Sequence, residues 1–299
     1  MILAITGGTG FVGSHLIDHA LESGHTVRAL ARKPQAPRTG VTWIEGALDR
    51  PISLGKLVAG ADAVIHVAGV VNADRRGFVE GNVAGTEGIL AATKAAGIRR
   101  FVAVSSLAAR EPEMSVYGWS KAQADERTRI SGLDWTIVRP PAIFGPRDHD
   151  ILKLFQMAKR RFVPLPPAGG RMSVLYVEDL TALLLALVED GTTVGRILEP
   201  DDGTAKGWDN RDFLRAIGAA MGVPVTPMPL PPVLLKAVSV VDRGLRGKKA
   251  QLTADRVRYF CHPDWVSHAK APAALWRPSV PTPDALAITA AWYRAAGLL

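Results

Sequence analysis

The chain has 299 residues, with 36 Lys and Arg against 28 Asp and Glu and a formal charge of +8. Hydrophobic residues make up 47% and charged residues 21%, which excludes a disordered or collagen-like chain and leaves material for about two domains. The single cysteine, Cys261, excludes a disulfide framework and a cysteine-rich zinc module, and fits a reducing compartment.

No apolar run approaches the roughly 18 residues that cross a bilayer. The N-terminus, Met1-Ile2-Leu3-Ala4-Ile5, enters a glycine loop with no basic region or cleavage site. The expected location is therefore cytoplasmic, without integral membrane association. Basic residues fall in short pairs such as Arg99-Arg100, Arg160-Arg161 and Lys248-Lys249, with no aromatic-interleaved stripe. Positive charge then points to an anionic cofactor or small-molecule substrate rather than to nucleic acid.

The elements alternate in the first half. A strand over 2–5 leads to a helix over 12–23 that stops at Gly24. Strands follow over 26–30, 41–45 and 63–67, then a long helix over 80–96 closed by Gly97. A strand over 101–105, a helix over 117–130 and a strand over 135–139 complete the run. Apolar strands alternating with helices predict an α/β protein with a Rossmann-type, doubly wound parallel sheet buried on both faces. After Arg139 the rhythm breaks at Pro140-Pro141, Gly145-Pro146 and 164–170. Helices are expected over 151–161, 178–189, 212–221 and 283–296, the last with Thr282 as N-cap. Residues 224–232 hold too many prolines for a central strand. The expected division is a dinucleotide-binding domain over 1–145, rejoined by 172–200, and a smaller, mainly helical substrate lobe over 146–299. The cleft is expected between them.

Gly7, Gly10 and Gly13 follow the first strand and open the first helix. That pattern permits a tight turn and close approach of the backbone to a pyrophosphate, which the helix N-terminus then faces. Gly7, Thr9, Gly10, Phe11 and Val12 are the expected contacts. An NAD site places an acid at the end of the second strand to bind the ribose 2′-hydroxyl. Here Arg32 and Lys33 stand there instead, suited to a 2′-phosphate, so NADP(H) is expected over NAD(H).

Tyr117 and Lys121 lie four apart, on one face of a helix. An ammonium and an oxidised nicotinamide beside the phenol would favour phenolate and fit it for proton transfer. Ser105 and Ser106 end the strand before them, and either hydroxyl can polarise a carbonyl. The expected catalytic set is Ser106, Tyr117 and Lys121.

These motifs resemble the short-chain dehydrogenase/reductase superfamily, and most of all its extended and atypical members, the NAD-dependent epimerase/dehydratase-like group. Thr6-Gly7-x-x-Gly10-x-x-Gly13 matches that group's cofactor loop. His66-Val67-Ala68-Gly69 matches the segment beside the cofactor ribose, which implies cofactor contacts at Ala68 and Gly69. Asn82-Val83-Ala84-Gly85-Thr86 matches a helix motif with a structural asparagine. Arg139-Pro140 and Phe144-Gly145-Pro146 match segments lining the cofactor amide and the lobe junction, which implies contacts at Pro140 to the cofactor and at Phe144 to the substrate. The resemblance also implies that Lys121 holds the nicotinamide ribose and that the chain forms a homodimer. The chain departs from the group at Gly46-Ala47-Leu48, where an aspartate contact to adenine is replaced by an apolar wall at Leu48, and at Tyr176, where histidine is usual.

The expected function is an NADP(H)-dependent oxidoreductase acting on a carbonyl/alcohol pair, with a modestly apolar substrate. Arg147 and Arg171 leave room for an anionic group. A sugar-nucleotide epimerase and a non-catalytic nucleotide-binding assembly protein are the alternatives. His15 and His19 are spaced like a metal pair but lack a third ligand, so no metal is expected. Asp148-His149-Asp150 reads as a solvated loop that starts a helix. Residues 233–241, followed by Arg243, Arg246, Lys248 and Lys249, read as a helix packed on the substrate lobe, with a membrane-surface role as the alternative.

Overall fold

The structure is a computed structural model that describes residues 1–165, 169–231, 233–235, 237, 244 and 254–299. Short apolar runs in the first half form β1 (Ile2–Thr6), β2 (Thr26–Ala31), β3 (Val41–Glu45), β4 (Ala63–His66), β5 (Arg100–Val104) and β6 (Asp134–Val138). With Arg196–Leu198 they make a seven-stranded sheet in the order Arg196–Leu198, β6, β5, β4, β1, β2, β3. Every pairing is parallel. The chain builds outward from β1 through β2 and β3, then crosses back to place β4 on β1's other side. The order therefore reverses between β1 and β4, and open sheets of this kind bind ligands at the carboxyl ends of such a switch point.

The helices are α1 (Phe11–Glu22), α2 (Pro51–Val58), α3 (Arg75–Phe78), α4 (Gly85–Ala95) and α5 (Val116–Arg129), joined later by Val177–Glu189. Leu54, Leu57, Ile89 and Leu90 of α2 and α4 pack with Ala4, Val64, Phe101 and Ile137 of the sheet. Helix α1 meets Val177–Glu189 through His15 Nδ1 to Glu178 Oε1 at 2.5 Å and His19 Nδ1 to Thr181 Oγ1 at 3.2 Å. The two histidines serve this helix contact, and no metal-holding group of three side chains occurs among the described residues.

The expected continuous helix over 80–96 is instead α3, a π-helical turn at Val79–Ala84, and α4. The turn widens where Asn82 reaches out to bond both backbone groups of Val70, and π turns concentrate at such functional places. Helix α2 and the strand Arg196–Leu198 had no counterpart in the sequence reading.

Two compact units result. The first comprises Met1–Pro140, Val177–Pro200 and Ala269–Arg277, and the second Pro141–Tyr176, Asp201–His268 and Pro278–Leu299. The boundary falls before 145 and the return begins after 172, because Ala142–Phe144 and Val174–Tyr176 pair with each other in a separate parallel ribbon. The return of 269–277 was not foreseen. It is fixed by Glu199 N–H donating to Ala269 O at 2.6 Å and Trp276 Nε1 donating to Asp179 O at 3.0 Å.

The second unit carries the helices Leu152–Ala158, Asn210–Met221, Ala254–Cys261 and Thr282–Ala295 with small two- and three-stranded sheets. Pro281 rather than Thr282 caps the last helix; Thr282 Oγ1 donates to Asp202 Oδ2 at 2.5 Å. Asp148 is buried rather than solvated, and its carboxylate accepts from the N–H groups of Asp150 and Ile151 at 2.9 and 3.0 Å. Residues 224–232 contribute Thr226–Pro229, an edge strand where proline is tolerated. Most of 233–241, and the basic residues Arg243, Arg246, Lys248 and Lys249, lie outside the described residues. No helix is long and apolar enough to cross a membrane among the described residues.

Candidate active site

Gly7 takes φ +75°, and Gly10 N–H donates to its carbonyl at 2.9 Å. A Cβ on Gly13 would stand 2.0 Å from Gly7 O, and one on Gly7 would stand 2.7 Å from Ala68 N. The turn is therefore closed on itself and against the loop after β4, with no space for side chains. Helix α1 begins at Phe11 with Gly10 as N-cap, no side-chain cap and no acid in its first turn. Thr9 and Gly10 are exposed, and Phe11 and Val12 half-buried. First-turn N–H groups, an exposed glycine edge and the positive end of the helix suit a pyrophosphate.

A buried hydrogen-bond chain aligns this turn with its neighbours. Thr86 Oγ1 donates to Asn82 O at 2.6 Å, so His66 Nε2–H donates to Thr86 Oγ1 at 3.1 Å. His66 Nδ1 then accepts from Thr6 Oγ1 at 2.7 Å, and Thr6 Oγ1 accepts from Ala68 N at 3.2 Å. Burial, aided by the charge of Lys121, pushes His66 down to about 3. The imidazole is thus neutral and acts as a spacer between β1, β4 and the start of α4.

Asn82 Nδ2 also donates to Ser120 Oγ at 2.9 Å, joining the loop after β4 to α5. Gly69 lies at this junction: a Cβ there would be 3.3 Å from both Asn82 Oδ1 and Lys121 Nζ. Lys121 is buried and donates to Val104 O at 2.9 Å. Burial lowers its pKa to about 8, against the opposing pull of Asp125.

Ser106 caps the 3-10 turn Leu107–Arg110, and its Oγ accepts from Ala108 N at 3.2 Å. The Ser106 hydroxyl also acts on the Tyr117 phenol, lowering its pKa. Helix α5 presses on the same turn: a Cβ on Gly118 would lie 2.6 Å from Ala108 O. Ser115 starts the helix by accepting from Gly118 N at 3.0 Å, which fixes Tyr117 in its first turn. Phe78 backs the phenol with ring centroids 5.9 Å apart. Burial raises the Tyr117 pKa, with the Ser106 hydrogen bond lowering it and Asp125 raising it. The resting group is therefore phenol, and the nearby ammonium is engaged by Val104 O. Ser105 Oγ is buried and closes no well-formed hydrogen bond, though it helps hold down the pKa of Asp125. Of the two serines, Ser106 is the one that acts on the phenol.

Asp125 is a neighbour that the sequence reading missed. It lies one turn beyond Lys121 on α5, and its Oδ2 accepts from Arg139 Nε at 2.8 Å. Burial raises its pKa, while Arg139, Ser105 and Lys121 lower it. The four-residue spacing from Tyr117 through Lys121 to Asp125 is the signal that points to it.

Arg32 and Lys33 are exposed just past β2, and neither closes an ion pair with a described residue. Leu48 is half-buried against α4, where a Cβ on Gly85 would meet its Cδ1 at 2.7 Å. Pro140 is buried, and its carbonyl accepts from Leu107 N at 2.9 Å. In the second unit the expected substrate contact Phe144 is fully buried between the rings of Tyr176 and Phe213. It is core and presents no surface to a ligand. Arg171 donates to Lys206 O and Gly207 O at 2.6 and 2.7 Å. Arg147 takes a left-handed backbone at φ +70°.

A glycine cradle at the switch point of a parallel sheet, with Ser, Tyr and Lys beside it, defines an NAD(P)-binding enzyme of the reductase/epimerase type. Residues 7–155 match the family model described as NAD(P)H-binding. The chain is 37% identical to ceramide reductase of Caulobacter vibrioides, covering 100% of this chain and 96% of that protein. It is 28% identical to a putative dihydroflavonol 4-reductase of Synechocystis sp., over 97% of this chain and 94% of that one. Among solved structures, MoeE5 in complex with UDP-glucuronic acid and NAD shares the fold with a TM-score of 0.76 at 18% identity, covering 99% of each chain. The chain belongs to the extended short-chain dehydrogenase/reductase family.

Proposed function

We propose that this enzyme is an NADP(H)-dependent carbonyl reductase, with a ketone on a long-chain, ceramide-like lipid as its substrate. The observation that carries the reading is Tyr117 and Lys121 one turn apart on α5, with Ser106, at the cap of the turn after β5, acting on the phenol. The glycine cradle, Ala68 and Gly69 would hold the dinucleotide, Leu48 would face its adenine and Pro140 would lie by its amide. Arg32 and Lys33 would pair with a 2′-phosphate. When bound, the reduced nicotinamide supplies hydride to the carbonyl carbon. Ser106 and Tyr117 donate hydrogen bonds to the carbonyl oxygen, and Tyr117 gives up its proton as that oxygen becomes a hydroxyl. The raised pKa of Tyr117 keeps this proton in place until charge develops. Lys121 holds positive charge near the resulting phenolate and would reach the ribose. The lipid class rests on the likeness to ceramide reductase, together with the apolar composition of the later part of the chain.

Leu107-Ala108 stand where dehydrating members of the resembled group carry an acid pair, which disfavours a dehydratase. The paired Ser106 and Tyr117 disfavour a purely structural nucleotide binder. A cytoplasmic location and, from the family resemblance, a homodimer through α4 and α5 complete the reading. The test is turnover of 3-oxo ceramide analogues, short-chain 3-ketones and UDP-sugars with NADPH and with NADH. Reduction of the ketones with NADPH is expected. Turnover of UDP-sugars alone would overturn the reading.

A further inference from the structure

In the second unit, Phe162–Leu165 and Thr226–Pro229 form a parallel ribbon in the register Phe162 to Thr226 and Pro164 to Met228. Alternation sends Val163 and Leu165 inward, where both are buried. Phe162 and Met228 share the opposite side, 64% and 47% exposed. Leu230 N–H continues the ribbon by donating to Leu165 O at 2.9 Å. A helical turn follows at once, with Val233 77% and Leu234 46% exposed. Single exposed apolar side chains are ordinary, but here four are gathered within one short ribbon and the turn that its second strand runs into.

Charge adjoins the patch with one sign. Lys159, Arg160 and Arg161 immediately precede Phe162, all three are exposed, and none closes an ion pair with a described residue. The sequence holds no Asp or Glu over 151–165 or over 222–235. A protein partner of mixed charge would leave these cations unmatched, whereas anionic headgroups match them while the apolar side chains enter the acyl boundary. We propose that this surface docks the enzyme on an anionic lipid bilayer. The inference stands on these exposed side chains and not on the substrate reading.

The test is flotation of the full-length protein, without substrate, on vesicles of phosphatidylcholine alone and of phosphatidylcholine mixed with phosphatidylglycerol. Binding to the mixed vesicles that falls with added salt is expected. Lys159→Glu with Arg160→Glu, and separately Phe162→Ser with Met228→Ser, should each weaken it roughly tenfold or more, with melting temperature and turnover of a soluble ketone unchanged. No association with the mixed vesicles, or association unaffected by both variants, overturns the proposal. So does self-association in sedimentation that Phe162→Ser with Met228→Ser abolishes, since the patch would then join copies of the chain. Failure of the substrate reading shows separately, as absent ketone turnover.

Discussion

Ser106 acts on Tyr117 although the two sit on different elements, one capping a 3-10 turn and the other opening α5, and its hydroxyl lowers the phenol's pKa. The N–H of Ala108 donates to Ser106 Oγ at 3.2 Å, which leaves the serine's own proton for a ligand. In the proposed reaction both residues donate to the carbonyl oxygen.

Tyr117→Phe keeps the ring against Phe78 and removes the proton. The kcat for ketone reduction should fall by about 10²- to 10⁴-fold, the usual worth of a positioned acid. Fluorescence titration should show NADPH binding unchanged. Retained turnover would remove Tyr117 from the chemistry.

Lys121 titrates at about 8. The ammonium is present below that pH and lost above it, so kcat/KM for reduction should decline as pH rises past about 8. Asp125 favours the ammonium, and Asp125→Asn should move this decline to lower pH. A pH profile of the two proteins decides it. A merely structural Asp125 would lower activity at all pH values without moving the limb.

Arg32 and Lys33 face solvent with no partner among the described residues. Replacing both by Ala should raise the KM for NADPH by roughly 10- to 100-fold, the range for lost hydrogen bonds between charged groups, and leave that for NADH unchanged. Steady-state kinetics with each nucleotide checks this.

Gly13→Ala drives a methyl group into Gly7 O. Overpacking of this kind costs about 1–3 kcal/mol, and here it also opens the pyrophosphate turn. Thermal melts should show the loss of stability, and the increment that NADPH adds to the wild-type melting temperature should vanish.

His66 is neutral in the folded chain, with its pKa lowered to about 3 from the ordinary 6.5. The unfolded chain takes up a proton as pH falls through about 6.5, while the folded one resists until about 3. Stability from this group is therefore complete above the unfolded value and is lost across that window. Denaturant titrations between about pH 7 and about pH 4 should show the decline, and His66→Gln should flatten it.

The sheet and the cofactor turn were legible because apolar alternation and glycine spacing are local signals. Tyr117 and Lys121 were legible for the same reason, since one helical turn brings them together. The choice between Ser105 and Ser106 was not legible, because it turns on which of two adjacent hydroxyls the cap at Ser106 holds beside α5. Phe144 misled because a motif match says nothing of burial, and the rings of Tyr176 and Phe213 enclose it. Asp125 escaped notice because its partner, Arg139, comes from another element. The phenol's protonation state depended on burial, which no spacing reveals.

The chain passes five times between the two units, at 140/141, 176/177, 200/201, 268/269 and 277/278. No single cut therefore yields the nucleotide-binding half as a continuous fragment. Truncation to either half should give insoluble protein, and gene shuffling between relatives cannot exchange one unit by one crossover. Divergence in substrate choice must proceed by point change and loop length within a shared, interlaced whole.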